Sequence, residues 1–245
     1  MASPSDLEAT AARAWPAADA VADAGWLLRR TPAAGRRRSN SALPLPGARP
    51  DDAAVDLVEA WYRARGAAPV VQVAPAEEHA TLDALLERRG WAAGGATDVL
   101  VAPAADVAAA RPVGTVHEGV TEAWLVAWAA AERRTDADGN RGILAAVPAP
   151  AGFATVRDGG RRLAVGLCAV DGGWGGVFCL ATAAEARRRG LARGVLAALA
   201  AWAAQRGAGH LYLQVASGNA AAQALFRGAG FARSHGYHYR TGPLS

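Results

Sequence analysis

A chain of 245 residues holds one large domain or two small ones. Its composition, 52% hydrophobic and 20% charged, is globular and excludes a disordered chain. No apolar run reaches the roughly 18 residues of a membrane span, and Met1 to Arg13 lacks the apolar core of a signal peptide, so a cytoplasmic protein with no membrane partner is expected.

In the N-terminal half, Leu45-Pro46-Gly47-Ala48-Arg49-Pro50 leads into Asp51-Asp52, a sound start for a helix. That helix carries Trp61 and ends at Gly66. A strand, a short helix ending in Gly90-Trp91 and a further strand follow. Pro103, Pro112 and the small residues between them predict a linker over 102–113. The C-terminal half opens with a strand near Val113 to His117. A helix over Val120 to Arg133 follows, its bulk supplied by Trp124, Leu125, Val126 and Trp128. Arg134 to Gly142 reads as a polar loop, with Asp136 and Asp138 as solvated turn residues or as attractors of a cation. Leu163 to Thr182 reads as a hairpin turning at Asp171-Gly172-Gly173. Both cysteines, Cys168 and Cys179, fall in predicted strands, where a buried free thiol is the default.

Arg187-Arg188-Arg189-Gly190-Leu191-Ala192 stands between a buried strand, Gly176 to Thr182, and a helix whose Leu191, Val195, Leu199 and Trp202 share one face. Backbone amides entering a helix N-terminus lack partners, and the helix dipole there is positive. Such a turn cradles phosphate and points to a pyrophosphate-bearing cofactor. The same spacing recurs at Arg63-x-x-Gly66 and Arg227-x-x-Gly230, but both lie at helix ends, where the dipole is wrong for an anion. Gly207 stops the helix. His210 to Val215 alternates as a strand, Asn219 caps a short helix carrying Leu225 and Phe226, and a last strand passes through Tyr237, His238 and Tyr239.

From about Val113 to Arg240 these residues resemble the GCN5-related N-acetyltransferases. The specific part is Leu180 to Phe231: the acetyl-CoA loop matches Arg187 to Ala192, and the second family signature matches Asn219, Ala222, Leu225, Gly230 and Phe231. The resemblance implies acetyl-CoA as co-substrate and no metal. It implies that backbone at Leu180, Ala181 and Thr182 pairs with pantetheine at a splay between strands. It places the pyrophosphate on Arg187, Arg188, Arg189, Gly190, Leu191, Ala192 and Arg193, and adds Asn219 and Phe226 to the cofactor site. Phe226 stands where the family often has a tyrosine that protonates the departing thiolate. The acid is then Tyr237, Tyr239 or a water, or there is none, since a thiolate is a tolerable leaving group. For the base, Glu118 and Glu122 are candidates, though both also read as charges complementing a helix start. His235 and His238 lie on the last strands. The acceptor is then an amine of a small molecule or peptide, and the protein a monomer or homodimer. A non-catalytic acyl-CoA-binding or interaction protein is the alternative. Nucleic acid is a minor reading, since the net charge of +4 is spread along the chain.

The two halves repeat. Trp61, Arg65 and Gly66 map onto Trp202, Arg206 and Gly207 at an offset of 141, and Gly90-Trp91 maps onto Gly230-Phe231 at an offset of 140. The first copy has prolines and Asp51-Asp52 where the second has its phosphate loop. A tandem α/β fold is expected, with a mixed, mostly antiparallel sheet flanked by helices in each half. Residues 1–104 form a degenerate domain without cofactor, resembling the N-terminal domain of two-domain bacterial family members, and 113–245 form the catalytic domain.

Overall fold

The computed structural model describes residues 3–243. The N-terminal half runs α1 (Pro4–Ala14), β1 (Asp19–Asp23), β2 (Trp26–Arg30), β3 (Leu43–Pro44), α2 (Asp52–Arg63), β4 (Val70–Val73), α3 (Ala80–Arg88) and β5 (Ala92–Pro103). The C-terminal half runs α4 (Ala104–Ala108), β6 (Thr115–Glu118), α5 (Glu122–Glu132), α6 (Ala137–Ala145), β7 (Ala151–Asp158), β8 (Arg161–Asp171) and β9 (Trp174–Thr182). It continues with α7 (Leu191–Ala204), β10 (His210–Ala216), α8 (Ala220–Gly228) and β11 (Ala232–Thr241). The architecture is α/β, with mixed sheets flanked by helices. The repeat read from the sequence reappears in the elements: α3 and α8 have the same length and start 140 residues apart, as do the starts of β4 and β10 and of β5 and β11.

The chain forms two compact units. The first holds the described residues up to Val99, Ala216–Gly218 and those from Ser234 onward. The second holds Leu100–Val215 and Asn219–Arg233. The expected spans 1–104 and 113–245 keep each half whole, and the units differ from them in the last strand. From Ser234 onward, β11 groups with the first unit because it pairs antiparallel with β4, from His238↔Val73 to Thr241↔Val70.

In the first unit, β1, β2 and β3 form a three-stranded antiparallel sheet. The amphipathic helices α2 and α3 bury Val55, Val58, Leu82 and Leu86 against Trp26, Leu28, Val71 and Val73. A polar chain is also buried there, running from Arg29 through Gln72 and Glu8 to His235. At β11, Arg240 donates from Nε and Nη2 to the two carboxylate oxygens of Asp83 at 2.7 and 2.9 Å, and His238 Nε2 lies 2.7 Å from the same group. The Arg240 hydrogen bonds hold the Asp83 carboxyl below its ordinary pKa. A depressed native pKa stabilises the fold above the unfolded value, about 4, and that gain is lost as pH falls through the native value. Asp83→Asn is therefore expected to be less stable than wild type at neutral pH, with the difference closing under acid. Urea midpoints that differ equally in acid and at neutrality would contradict this.

In the second unit the strand order is β5-β10-β9-β8-β7-β6. β9 and β10 are parallel, and β6 to β9 pair antiparallel. Helix α7 lays Val195, Leu196 and Leu199 into the core beside Val177, Leu211 and Leu213. The segment 102–113, expected as a bare linker, holds α4, whose Ala104 and Val107 are buried in this core. The loop expected over 134–142 is largely helical, because Ile143 and Leu144 beyond the polar run are buried and anchor α6. Strand β7 has no counterpart among the expected strands. Its first six residues are buried in succession, so it lacks the alternation that reveals a half-buried strand. Both cysteines are buried free thiols, and burial pushes the Cys168 thiol up to about 12, which keeps it protonated and inert.

Candidate active site

β9 and β10 pair from His210↔Trp174 to Leu213↔Val177. Beyond that register β9 runs on to Thr182 and leaves the parallel ladder. On its other edge, Leu167↔Phe178 is followed by Val165↔Ala181, so three steps along β9 oppose two along β8. This is a bulge, and Cys179 within it has φ of 54°. A non-glycine residue in that region costs roughly 1–2 kcal/mol, strain of a kind that clusters at functional sites.

A cavity of about 580 Å³ opens here within the second unit. Strand β9 supplies Leu180, Ala181 and Thr182. The loop after it and the first turn of α7 supply Arg187, Arg188, Gly190, Leu191, Ala192 and Arg193. Helix α8 supplies Ala222, Leu225 and Phe226, with Asn219 as its cap, and Glu132 comes from the end of α5. Arg189 does not line it.

One end of this cavity is built for an anion. Gly190 is the N-cap of α7, with φ of 76° and no side chain to occupy the helix amides. On three other helices a side chain does occupy them: Asp51 accepts from Ala54 N on α2, Thr121 from Trp124 N on α5, and Asn219 from Ala222 N on α8. The first amides of α7 therefore face the cavity at the positive end of the helix dipole. Arg188 adopts φ of 60°, a second left-handed residue in the loop. Arg187 reaches back from Nε to the Thr182 carbonyl at 3.4 Å. The Thr182 hydroxyl is buried and has no hydrogen-bond partner, so a donor on the cavity wall is left for a ligand. Between these groups the wall is Leu180, Leu225 and Phe226. An anion cradle, an apolar channel and an orphan hydroxyl suit a pyrophosphate joined to a slender arm with amide groups, as in coenzyme A. Among the described residues no group of three or more His, Cys, Asp or Glu is placed to hold a metal, and no helix is long and apolar enough to cross a membrane.

The catalytic candidates lie elsewhere. Glu118 is exposed and accepts from Arg206 at 2.5 Å. Glu122 is exposed and hydrogen-bonded to Arg141, which holds its carboxyl below the ordinary range, the reverse of what a general base needs. Tyr237 and Tyr239 are buried in the first unit with ring centroids 5.6 Å apart, and burial raises the Tyr239 hydroxyl well above its usual pKa. His235 lies 2.9 Å from Glu8, and His238 is on Asp83. None of these lines the cavity. Of the loop aspartates, Asp136 accepts from Arg134 at 2.5 Å and Asp138 lies 3.4 Å from Arg141. Sequence reasoning missed Glu132. Its signal was the helical spacing from Leu125 and Trp128, which puts it in line with the buried residues of α5, at an exposed position at the end of that helix.

The model of the family described as probable histone acetyltransferase Rv0428c C-terminal matches residues 4–240. The chain belongs to that family, and its class is that of the GCN5-related acetyltransferases. It is 32% identical over 102 residues to the uncharacterized N-acetyltransferase YobR of Bacillus subtilis, a match covering 42% of this chain and 41% of that protein. Its fold is similar to that of a GCN5-related N-acetyltransferase from Kribbella flavida, with a TM-score of 0.73 at 18% identity over 99% of this chain and 96% of that one. It also resembles a tandem GNAT protein from the clavulanic acid biosynthesis pathway, with a TM-score of 0.60 at 14% identity over 84% and 75% of the two chains.

Proposed function

We propose that this protein is a cytoplasmic N-acetyltransferase that moves an acetyl group from acetyl-CoA to a primary amine of a small molecule or peptide by direct attack. The observation that carries this reading is the uncapped N-terminus of α7 opening into the same cavity as the free edge of β9. The α7 amides and Arg187, Arg188 and Arg193 hold the pyrophosphate. Thr182 and the backbone of β9 take the pantetheine arm as an added strand. The bulge at Cys179 turns backbone amide toward the thioester carbonyl, where negative charge develops. Phe226 gives no proton, and none is essential, because a thiolate with an ordinary pKa of about 8.5 leaves readily near neutrality. The N-terminal half is a duplicated copy that has lost its cofactor site: Asp51 caps α2 by accepting from Ala54 N and Asp52 follows in its first turn, so one of the corresponding amides is occupied and the local charge repels phosphate.

Calorimetric titration of acetyl-CoA into the full chain is the test. One equivalent is expected to bind, and release of free thiol is expected when an amine is added. Absence of binding would sink the reading. Binding without turnover on any amine would favour a non-catalytic acyl-CoA-binding protein, the reading that Phe226 supports.

A further inference from the structure

We propose that Glu132 receives the ammonium group of the acceptor and takes its proton, so that the acceptor is a cationic primary amine; this rests on the acetyl-transfer reading above. Charge in the cavity is unevenly distributed. Arg187, Arg188 and Arg193 belong to the anion-binding loop and the start of α7, and Glu132 is the one carboxylate among the lining residues described. A polyanionic co-substrate gains nothing from that carboxylate, which is matched instead by a positive group on the other reactant.

The surroundings of Glu132 suit such an exchange. Arg134 lies 3.8 Å from Glu132, beyond hydrogen-bond range, and 2.5 Å from Asp136. Arg134 is further held over the Trp128 ring, 5.4 Å from its centroid. Asp136 and Trp128 thus keep Arg134 in place when an incoming ammonium takes its position beside Glu132. Arg133, the C-cap of α5, has φ of 52°, and its amide bonds to the Ala129 and Ala130 carbonyls. That left-handed turn ends the helix directly after Glu132 and sets its direction.

The proton moves from the ammonium nitrogen to the Glu132 carboxylate, giving a neutral amine and a carboxylic acid. The freed lone pair forms the C–N bond at the thioester carbonyl, and the C–S bond breaks with its electron pair on sulfur. The second proton leaves the new amide nitrogen for the thiolate, and the carboxylic acid returns its proton to water.

The test compares wild type with Glu132→Gln and Glu132→Asp, using 1,4-diaminobutane and a lysine-containing peptide as acceptors across a range of pH. In Glu132→Gln the affinity for acetyl-CoA is expected to be unchanged and kcat/KM for the amine to fall by ~100-fold or more at neutral pH. That deficit is expected to shrink at alkaline pH, where the amine arrives unprotonated, and Glu132→Asp should recover part of the activity. Wild-type activity in Glu132→Gln, or a deficit equal at every pH, would overturn the assignment. Wild type that binds acetyl-CoA yet acetylates neither amine would instead overturn the transferase reading itself.

Discussion

Gly190→Glu is expected to abolish acetyl-CoA binding in a chain that still folds. A Cβ at position 190 meets no heavy atom within 4 Å, so the side chain has room. The positive φ of 76° costs a non-glycine residue roughly 1–2 kcal/mol, which a folded domain of ordinary stability absorbs. The carboxylate, however, projects where α7 presents its unpaired amides. Two like charges about 4 Å apart repel by roughly 4 kcal/mol at the effective dielectric of a partly exposed site, or ~1,000-fold in affinity. Gly190→Ala carries the same backbone strain without the charge and is expected to weaken binding far less. Calorimetry on both variants, with circular dichroism to verify folding, separates the two effects. Unchanged affinity in a folded Gly190→Glu protein would remove the pyrophosphate from this loop.

The second large effect is expected on stability. Glu8→Leu should cost about 3–5 kcal/mol, the usual result of removing one partner from a buried charged network. The Glu8 carboxylate is 3% exposed, accepts from Gln72 Nε2 at 2.9 Å and lies 2.9 Å from His235 Nε2. Gln72 in turn accepts from Arg29 Nη2 at 2.8 Å, and Arg29 also donates to the Ser41 carbonyl and hydroxyl. Burial pulls the Arg29 pKa below its usual value, a sign that this guanidinium depends on its surroundings to stay charged. A leucine strands the Gln72 amide and leaves Arg29 without that carboxylate. Glu8→Gln keeps an acceptor and should lose less. Urea unfolding of the full chain reads both, and a leucine variant as stable as wild type would show that the network contributes nothing net.

The Glu132 end of the cavity shows why part of the site was hidden from sequence reading. Glu118 and Glu122 attract notice because they sit at a helix start in a run with few other charges, yet each is neutralised by an arginine far along the chain, Arg206 and Arg141. Glu132 looks like one more charge in Glu132-Arg133-Arg134, and only its phase on α5 turns it toward the cavity. The last strand carries Tyr237, Tyr239 and His235, which the sequence offers only as candidates for the acid and the base. Its ladder with β4 takes them into the first unit instead.

What the sequence determined by itself is local. A buried strand, a glycine turn and an apolar helix face lie within consecutive residues from Gly176 to Trp202, so the uncapped start of α7 follows from backbone geometry that neighbouring residues set. The Asn219 cap and the 140-residue repeat are likewise readable, since a cap needs only three residues and a repeat only comparison along the chain. The tertiary structure decided which strand β11 joins, where β9 leaves its ladder and bulges at Cys179, and which carboxylate faces the cavity. These depend on pairing and packing between residues far apart in sequence, and no local periodicity carries that information.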